Sequence, residues 1–468
     1  MAAAPHVLVF PYPAMSHITS LLELSYRFLD RGFKITFLNT EFNQRRLLAA
    51  LPDQQAAAAS SLKTCVGIRL ATIPDGLGPA EDRSDLGRLM EGITATMPGY
   101  LEELMVRNAA ELDEERFTWF LTDLSMGWAV DIARKVGLRP LAFFPMAAAL
   151  LAGSLSIPKL IQDGVIDKEG APINGKMFQL GPKMLPIDPA QFTWNCFKDS
   201  LTKKILFNFA SNNIRAVANA ELILCNTSQE LEKHVLACVP DIVPIGPLLS
   251  GSRPDKSFGN FWVQDTECIE WLDRQKDNSV IYAAFGSFTV FNQCQFQELA
   301  HGLELIRKPF LWVVRADLTT VDDDDENSTN LSNFMERVGD RGRIVSWCPQ
   351  QKVLAHPAIA CFITHCGWNS ILEGVINGVP FLCWPYFADQ FFNQTCICDF
   401  WRVGLRIVAD ESGMYSKEQI MSKLEALVGD KEIKERSSAL KEAACKSLQI
   451  GGSSFNNFNK LIDLMNGV

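Results

Sequence analysis

Residues 347–390 read WCPQQKVLAHPAIACFITHCGWNSILEGVINGVPFLCWPYFADQ. Inside this stretch FITHCGWNSILEG (362–374) is a strand, a tight glycine-containing turn and a helix whose first turn carries Asn369 and Ser370. Working outward, RIVSWCP (343–349), ACFITHC (360–366), PFLCWPY (380–386), SVIYAAFGS (279–287), FLWVVR (310–315) and VGLRIV (403–408) are strand candidates. Upstream the pattern repeats in HVLVFPY (6–12), KITFLNT (34–40), IRLATI (68–73), TWFLTD (118–123), PLAFFP (140–145) and ELILCNT (221–227). These runs are short, β-branched or aromatic, and bounded by Gly, Pro, Asp or Asn. Helical stretches separate them: SLLELSYRFLDRG (20–32) has Leu21, Leu24, Phe28 and Leu29 at helical spacing and stops at Gly32, and WAVDIARKVG (128–137) is similar. Strand–helix–strand repetition predicts parallel sheets with helices on both faces. The stretch from Pro240 to Gln264 has several Pro and Gly residues and no helical period, so the domain boundary is placed there. The expected fold is α/β, with two Rossmann-like doubly wound domains facing each other across a cleft. Residues 1–245 form the first, 246–264 the linker and 265–450 the second, while 451–468 is a helix expected to pack back on the first.

A chain of 468 residues suits two cores of roughly 200 residues each. Apolar residues at 47% and charged residues at 21% are ordinary for a water-soluble globular protein. A net charge of −10 argues against nucleic acid or an anionic membrane as the main partner. Thirteen cysteines without a regular framework favour reduced thiols and a cytoplasmic setting. The opening MAAAPHVLVFPYPAMSH lacks a basic n-region, and prolines 11 and 13 break its apolar run, so it reads as neither signal peptide nor anchor. The apolar stretch 140–157 holds Pro145 and Gly153 and reads as a strand entering a buried helix rather than a membrane span.

The chemistry of 347–390 follows from its turn. Free backbone N–H groups and the positive end of a helix dipole make an anion site. His365 adds a donor at the strand end, and Asn369 and Ser370 add side-chain donors, which suits a diphosphate held without a metal. Trp347 offers a flat face for a nucleobase. Glu373 can accept from a ribose diol, and Asp389 and Gln390 from sugar hydroxyls. In its full 44-residue length, with Trp, Pro-Gln, His-Pro, His-Cys-Gly-Trp-Asn-Ser, Glu-Gly and Asp-Gln in register, the stretch closely resembles the signature box of plant family 1 UDP-glycosyltransferases. PIGPLL (244–249) and GGSSFNNF (451–458) extend the resemblance over nearly the whole chain. It implies the GT-B architecture, UDP-glucose as donor, no metal or other cofactor, and action on a small molecule; a monomer is expected, though the resemblance leaves the oligomeric state open. It also implies uracil stacking on Trp347 and ribose contacts from Gln350 and Glu373. Phosphate contacts then fall to His365, Asn369 and Ser370, and sugar contacts to Trp368, Asp389 and Gln390, with Cys348 and Gly367 inside the donor site. Ser287 and Thr289 look like the family's additional diphosphate loop. A final Gln such as Gln390 is associated with glucose donors.

The base is sought in the first domain. Of the six histidines, His6 opens a strand, His234 and His301 sit in polar helical stretches, His356 precedes a proline and His365 is already placed. His17 remains, in the loop after the first strand, where such sheets collect ligands. A neutral imidazole suits the removal of a proton from an attacking hydroxyl. Asp123 ends the strand TWFLTD at the same sheet edge and is the natural partner to orient it. Family enzymes resemble this in both positions, with the Asp before a Trp-Ala-containing helix, here SMGWAVDIA. The implied reaction is inverting transfer to an acceptor whose oxygen attacks opposite the departing UDP. Many relatives have Gly before the base and Pro three residues after it, where this chain has Ser16 and Ser20. Met15, Ser16, Phe143, Met146, Phe192 and Phe387 are the candidates to line an acceptor pocket, and flavonoids, other phenolics, terpenoids and steroids all remain open.

Other patterns read more plainly. Asp322–Asp325 contains an Asp-x-Asp but sits in a polar loop, so a solvated loop is preferred to a metal site. Cys348, Cys361 and Cys366 lie close in sequence to His356 and His365, yet with no CxxC pair they read as buried thiols rather than zinc ligands. A dinucleotide-dependent oxidoreductase would need GxGxxG after the first strand, where this chain has PYPAMSH. A non-catalytic sugar-nucleotide-binding protein would have no use for a His17–Asp123 pair.

Overall fold

The computed structural model describes residues 4–51, 56, 64–111, 115–173, 175–184, 186–249, 261–287, 289, 292–315 and 331–467. The chain forms two compact units: Met1–Trp262 with Lys446–Val468, and Val263–Cys445.

In the first unit an eight-stranded sheet comprises β1 (His6–Phe10), β2 (Lys34–Thr40), β3 (Thr64–Cys65), β4 (Ile68–Ile73), β5 (Trp119–Asp123), β6 (Arg139–Phe144), β7 (Leu222–Cys225) and β8 (Ile242–Pro244). The order is β3-β4-β2-β1-β5-β6-β7-β8, and every pairing is parallel except β3 with β4. Central strands β1 and β5 are buried along their whole length, which is why they read as continuous apolar runs rather than alternating ones. The sequence does not announce β3 or β8. Residues 64–65 are too short to show a period, and β8 lies inside the Pro- and Gly-rich stretch read as a boundary. Pro244 is tolerated because β8 is an edge strand and its missing N–H faces no partner. The helix Ser453–Asn466 lays Phe458, Leu461, Ile462 and Met465 against this unit's core. Phe458 stacks on Phe28 with ring centroids 5.9 Å apart, and the Trp119 indole donates to the Met465 carbonyl at 3.1 Å. Burial of such side chains stabilises by about 2 kcal/mol each.

The second unit holds six parallel strands: β9 (Val280–Ala284), β10 (Phe310–Val313), β11 (Gly342–Val345), β12 (Ile359–Thr364), β13 (Phe381–Cys383) and β14 (Gly404–Arg406). Their order is β11-β10-β9-β12-β13-β14. In each sheet the strand order reverses at one place, between β1 and β5 and between β9 and β12. Loops leaving the carboxyl ends of such strand pairs diverge and open a crevice, the usual ligand position in this kind of sheet. Among the described residues no helix is long and apolar enough to cross a membrane.

Candidate active site

His17 and Asp123 meet at the first switch point. The chain leaves β1, turns through Pro11–Ala14 and starts the helix Met15–Leu29 at once, so His17 lies in the first helical turn rather than in the loop expected from sequence. The extended backbone of Ala14 starts the helix as soon as Pro13 is passed. Asp123 is the last residue of β5, which pairs directly with β1. Its carboxylate is fully buried, and His17 Nδ1 lies 2.6 Å from its Oδ2. The other oxygen, Oδ1, accepts the Ser125 N–H at 2.8 Å, which fixes the carboxylate plane. A carboxylate can only accept here, so Nδ1 carries the proton and Nε2 presents its lone pair. The His17 side chain keeps 13% exposure, enough for a ligand atom to reach it. Tyr12 packs 5.1 Å from the imidazole, and burial together with the Asp123 charge pushes its phenol up, so it stays protonated.

His365, Gly367, Trp368, Asn369 and Ser370 lie at the second switch point. The helix Trp368–Asn377 follows β12 through His365–Gly367, with Gly367 as its N-cap. Ile371 N–H donates to the Gly367 carbonyl at 3.0 Å and closes the first helical turn, and the opening amides of a helix point out along its axis. Burial, with Arg315 contributing, lowers the His365 imidazole to about 4, so it acts as a neutral donor rather than a cation. Its ring lies between two turns. A Cβ on Gly286 would come within 2.7 Å of His365 Nε2, and one on Gly367 within 2.4 Å, so only glycine fits at either place. Ser287 is half-buried, and Thr289 is 1% exposed with its hydroxyl unpartnered among the described residues.

Gln350 ties the helix Trp368–Asn377 to the segment after β11, donating to Ser370 Oγ at 3.0 Å and Glu373 Oε2 at 2.6 Å. Gln351 donates to the other Glu373 oxygen at 3.0 Å, while burial pushes that carboxyl up. Trp347 is half-buried, and its carbonyl accepts the Asp265 N–H. The Cys348 thiol is buried 3.3 Å from the Tyr282 hydroxyl, which leaves the backbone as the part of Cys348 able to meet a ligand. Trp368 is likewise buried, its ring 6.1 Å from Trp401, so a sugar contact there would come from the backbone. Gln390 turns its carbonyl oxygen onto the Tyr386 and Phe387 amides at 2.7 and 3.0 Å, which leaves its NH2 group for a sugar hydroxyl. Asp389 accepts from Asn393 at 2.8 Å.

The acceptor candidates divide. Met15 and Met146 are half-buried and Ser16 is exposed in the first turn beside His17, while Phe387 is half-buried in the second unit. Phe143 and Phe192 differ from expectation: they are 0% and 2% exposed and present no face to a ligand. Phe143 belongs to the sheet core, and Phe192 stacks on Trp194 at 4.8 Å and fills the space above Gly153. Ser20 is buried and spends its hydroxyl on the Ser16 carbonyl. His6 is structural, bonding Thr36 and the Glu115 carbonyl, and His356 bonds Asp273. Asp322–Asp325 lies outside the described residues. Among those described, no group of three or more His, Cys, Asp or Glu side chains is arranged to hold a metal.

Two buried polar residues escaped the sequence reading. Asn393, 0% exposed, donates to the Cys366 carbonyl at 2.9 Å as well as to Asp389, and so braces the His365–Gly367 turn. Glu232 accepts the Ala148 and Ala149 amides at 2.7 and 2.9 Å and caps the helix Ala148–Leu155 that follows Met146. The spacing of Asn393 four residues after Asp389 was a usable signal, whereas Glu232 carried none.

Residues 253–444 match the family model described as UDP-glucoronosyl and UDP-glucosyl transferase. The chain is 40% identical over 467 residues to UDP-glycosyltransferase 83A1 of Arabidopsis thaliana, spanning 98% of this chain and 96% of that one. It is 33% identical to 7-deoxyloganetin glucosyltransferase of Catharanthus roseus over 98% and 96% of the two chains. Among solved structures, a UDP-glucosyltransferase from Polygonum tinctorium capable of glucosylating indoxyl aligns over 100% of both chains with a TM-score of 0.81 and 27% identity. The two parallel-sheet units are thus those of a GT-B glycosyltransferase. The chain belongs to the plant family 1 UDP-glycosyltransferases and is an enzyme that transfers a sugar from a UDP-sugar.

Proposed function

We propose that the enzyme moves glucose from UDP-glucose to a hydroxyl of a small lipophilic acceptor, with inversion, using His17 as general base and Asp123 as its orienting partner. The observation that carries this reading is the 2.6 Å contact between His17 Nδ1 and the buried Asp123 carboxylate. With Nδ1–H committed to Asp123, Nε2 takes the acceptor proton as the acceptor oxygen forms its bond to the anomeric carbon. The bond from that carbon to the UDP oxygen breaks, its electron pair leaves on the diphosphate, and attack from the opposite face inverts the centre. Asp123 offsets the imidazolium charge that forms. The diphosphate is held by the amides that open the helix Trp368–Asn377, by neutral His365, and by Asn369, Ser370, Ser287 and Thr289. Uracil stacks on Trp347, and Gln350 and Glu373 bind the ribose. Sugar contacts come from Trp368, Asp389 and the Gln390 amide.

Glucose as the donor is supported by the glucosyltransferase names of relatives across the whole chain. Those relatives act on small molecules, 7-deoxyloganetin and indoxyl by name, which supports a compact lipophilic acceptor of phenolic, flavonoid, terpenoid or steroid type. Thirteen cysteines, none of them in a disulfide among the described residues, support a reducing, cytoplasmic setting. The test is UDP release with UDP-glucose, UDP-galactose and UDP-glucuronate against separate pools of those acceptors. Acceptor-dependent release greatest with UDP-glucose, giving a β-linked product, is expected. An α-linked product would overturn inversion, and a preference for another donor would overturn the glucose assignment.

A further inference from the structure

One buried cation stands at the donor-side switch point with no role in the reading above. Arg315 lies two residues beyond β10 and is 4% exposed. Its Nη1 donates to the Gly286 carbonyl at 3.1 Å. The strand order β10-β9-β12 sets three carboxyl-end segments side by side: the one carrying Arg315, the turn at Gly286–Ser287, and the turn from His365 to Gly367. We propose that Arg315 is a positioning residue for the donor diphosphate, fixing the Gly286–Ser287 peptide plane and supplying the positive charge of the site. The inference rests on the reading that these turns hold UDP.

Three observations carry it. Gly286 has φ +70, and its position is closed by the His365 ring, so its peptide is held by the imidazole on one side and through its carbonyl by the guanidinium. In a planar trans peptide the N–H points opposite to the C=O, so anchoring the Gly286 oxygen directs the Ser287 N–H away from Arg315 and leaves it for a ligand. His365, neutral at ordinary pH, brings no charge to the turn, whereas Arg315 brings a guanidinium. Finally, the Thr289 hydroxyl, on the same side of the sheet, is buried and has no partner among the described residues.

The test is UDP affinity by calorimetry on the full chain carrying Arg315→Met or Arg315→Lys, with melting curves as a folding control. Arg315→Met is expected to weaken UDP binding about tenfold or more, and Arg315→Lys, which keeps the charge without the planar fork, about threefold. The UDP-glucose KM should rise more than kcat falls. Because the guanidinium charge opposes protonation of His365, that imidazole should titrate at higher pH in Arg315→Met than in Arg315→Lys, which keeps the charge while sharing any loosening of the packing. UDP affinity within twofold of wild type in folded Arg315→Met overturns the proposal. If that variant does not fold, Arg315→Lys decides, and unchanged affinity there overturns it equally. His365→Ala and Asn369→Ala run alongside. Weakened binding in these with none in the arginine variants removes Arg315 alone, whereas unchanged binding in both removes the donor-site reading itself.

Discussion

The two switch points of this enzyme occupy the same topological place in their sheets, and each carries a histidine, yet the two imidazoles are prepared for different work. His17 follows β1 and lies 2.6 Å from a fully buried carboxylate, with an edge left open. His365 follows β12, is walled by two glycines, and has the Arg315 guanidinium nearby. In the proposed mechanism the first arrangement orients an imidazole to accept a proton and offsets the charge that results. The second keeps an imidazole neutral, so that it donates a hydrogen bond without changing charge. Topology decides where a ligand sits, and the neighbouring charge decides what the histidine does for it.

The comparison breaks most visibly at Asp123. Asp123→Asn should lower kcat about 10²- to 10³-fold while UDP affinity stays within twofold, measured by turnover and calorimetry on one preparation. A loss of UDP affinity of the same size would mean that the two histidine sites do not divide the work. A smaller effect is expected on the other side. Glu373→Ala removes the carboxylate held by Gln350 and Gln351, and should weaken UDP binding about tenfold with little change in kcat at saturating donor. Subtler still is a pH effect. His365 has its imidazole lowered from 6.5 to about 4, so above pH 6.5 it is neutral whether the chain is folded or not. Between pH 6.5 and 4 the unfolded chain takes up a proton that the folded one refuses, and stability falls as pH falls through that window. The drop in Tm from pH 7 to 4.5 should therefore be smaller in His365→Asn than in wild type.

Much of this was legible in the sequence because parallel strands covered on both faces must be apolar throughout, so the runs around Val9, Leu121 and Ile363 announce themselves. The donor turn was legible too, since Gly367, Asn369 and Ser370 form a compact local motif. The His17–Asp123 pair was inferred from strand ends, but its contact depends on β1 and β5 being neighbours, and periodicity carries no strand order. Arg315 and Glu232 stayed hidden because each is a lone polar residue whose partner comes from elsewhere in the chain, whereas Asn393 had its spacing from Asp389 as a signal. Phe192 misled for the opposite reason: an aromatic side chain looks the same in sequence whether it faces a ligand or, as here, stacks on Trp194 in the interior.

The central contrast is open to direct measurement by nitrogen-15 NMR of the two imidazoles in the ligand-free enzyme. The account predicts that His17 carries its proton on Nδ1, with a hydrogen-bonded signal that disappears in Asp123→Asn, and that His365 remains neutral down to about pH 4. A His17 ring protonated on Nε2 instead, or a His365 ring already charged at pH 6, would contradict it.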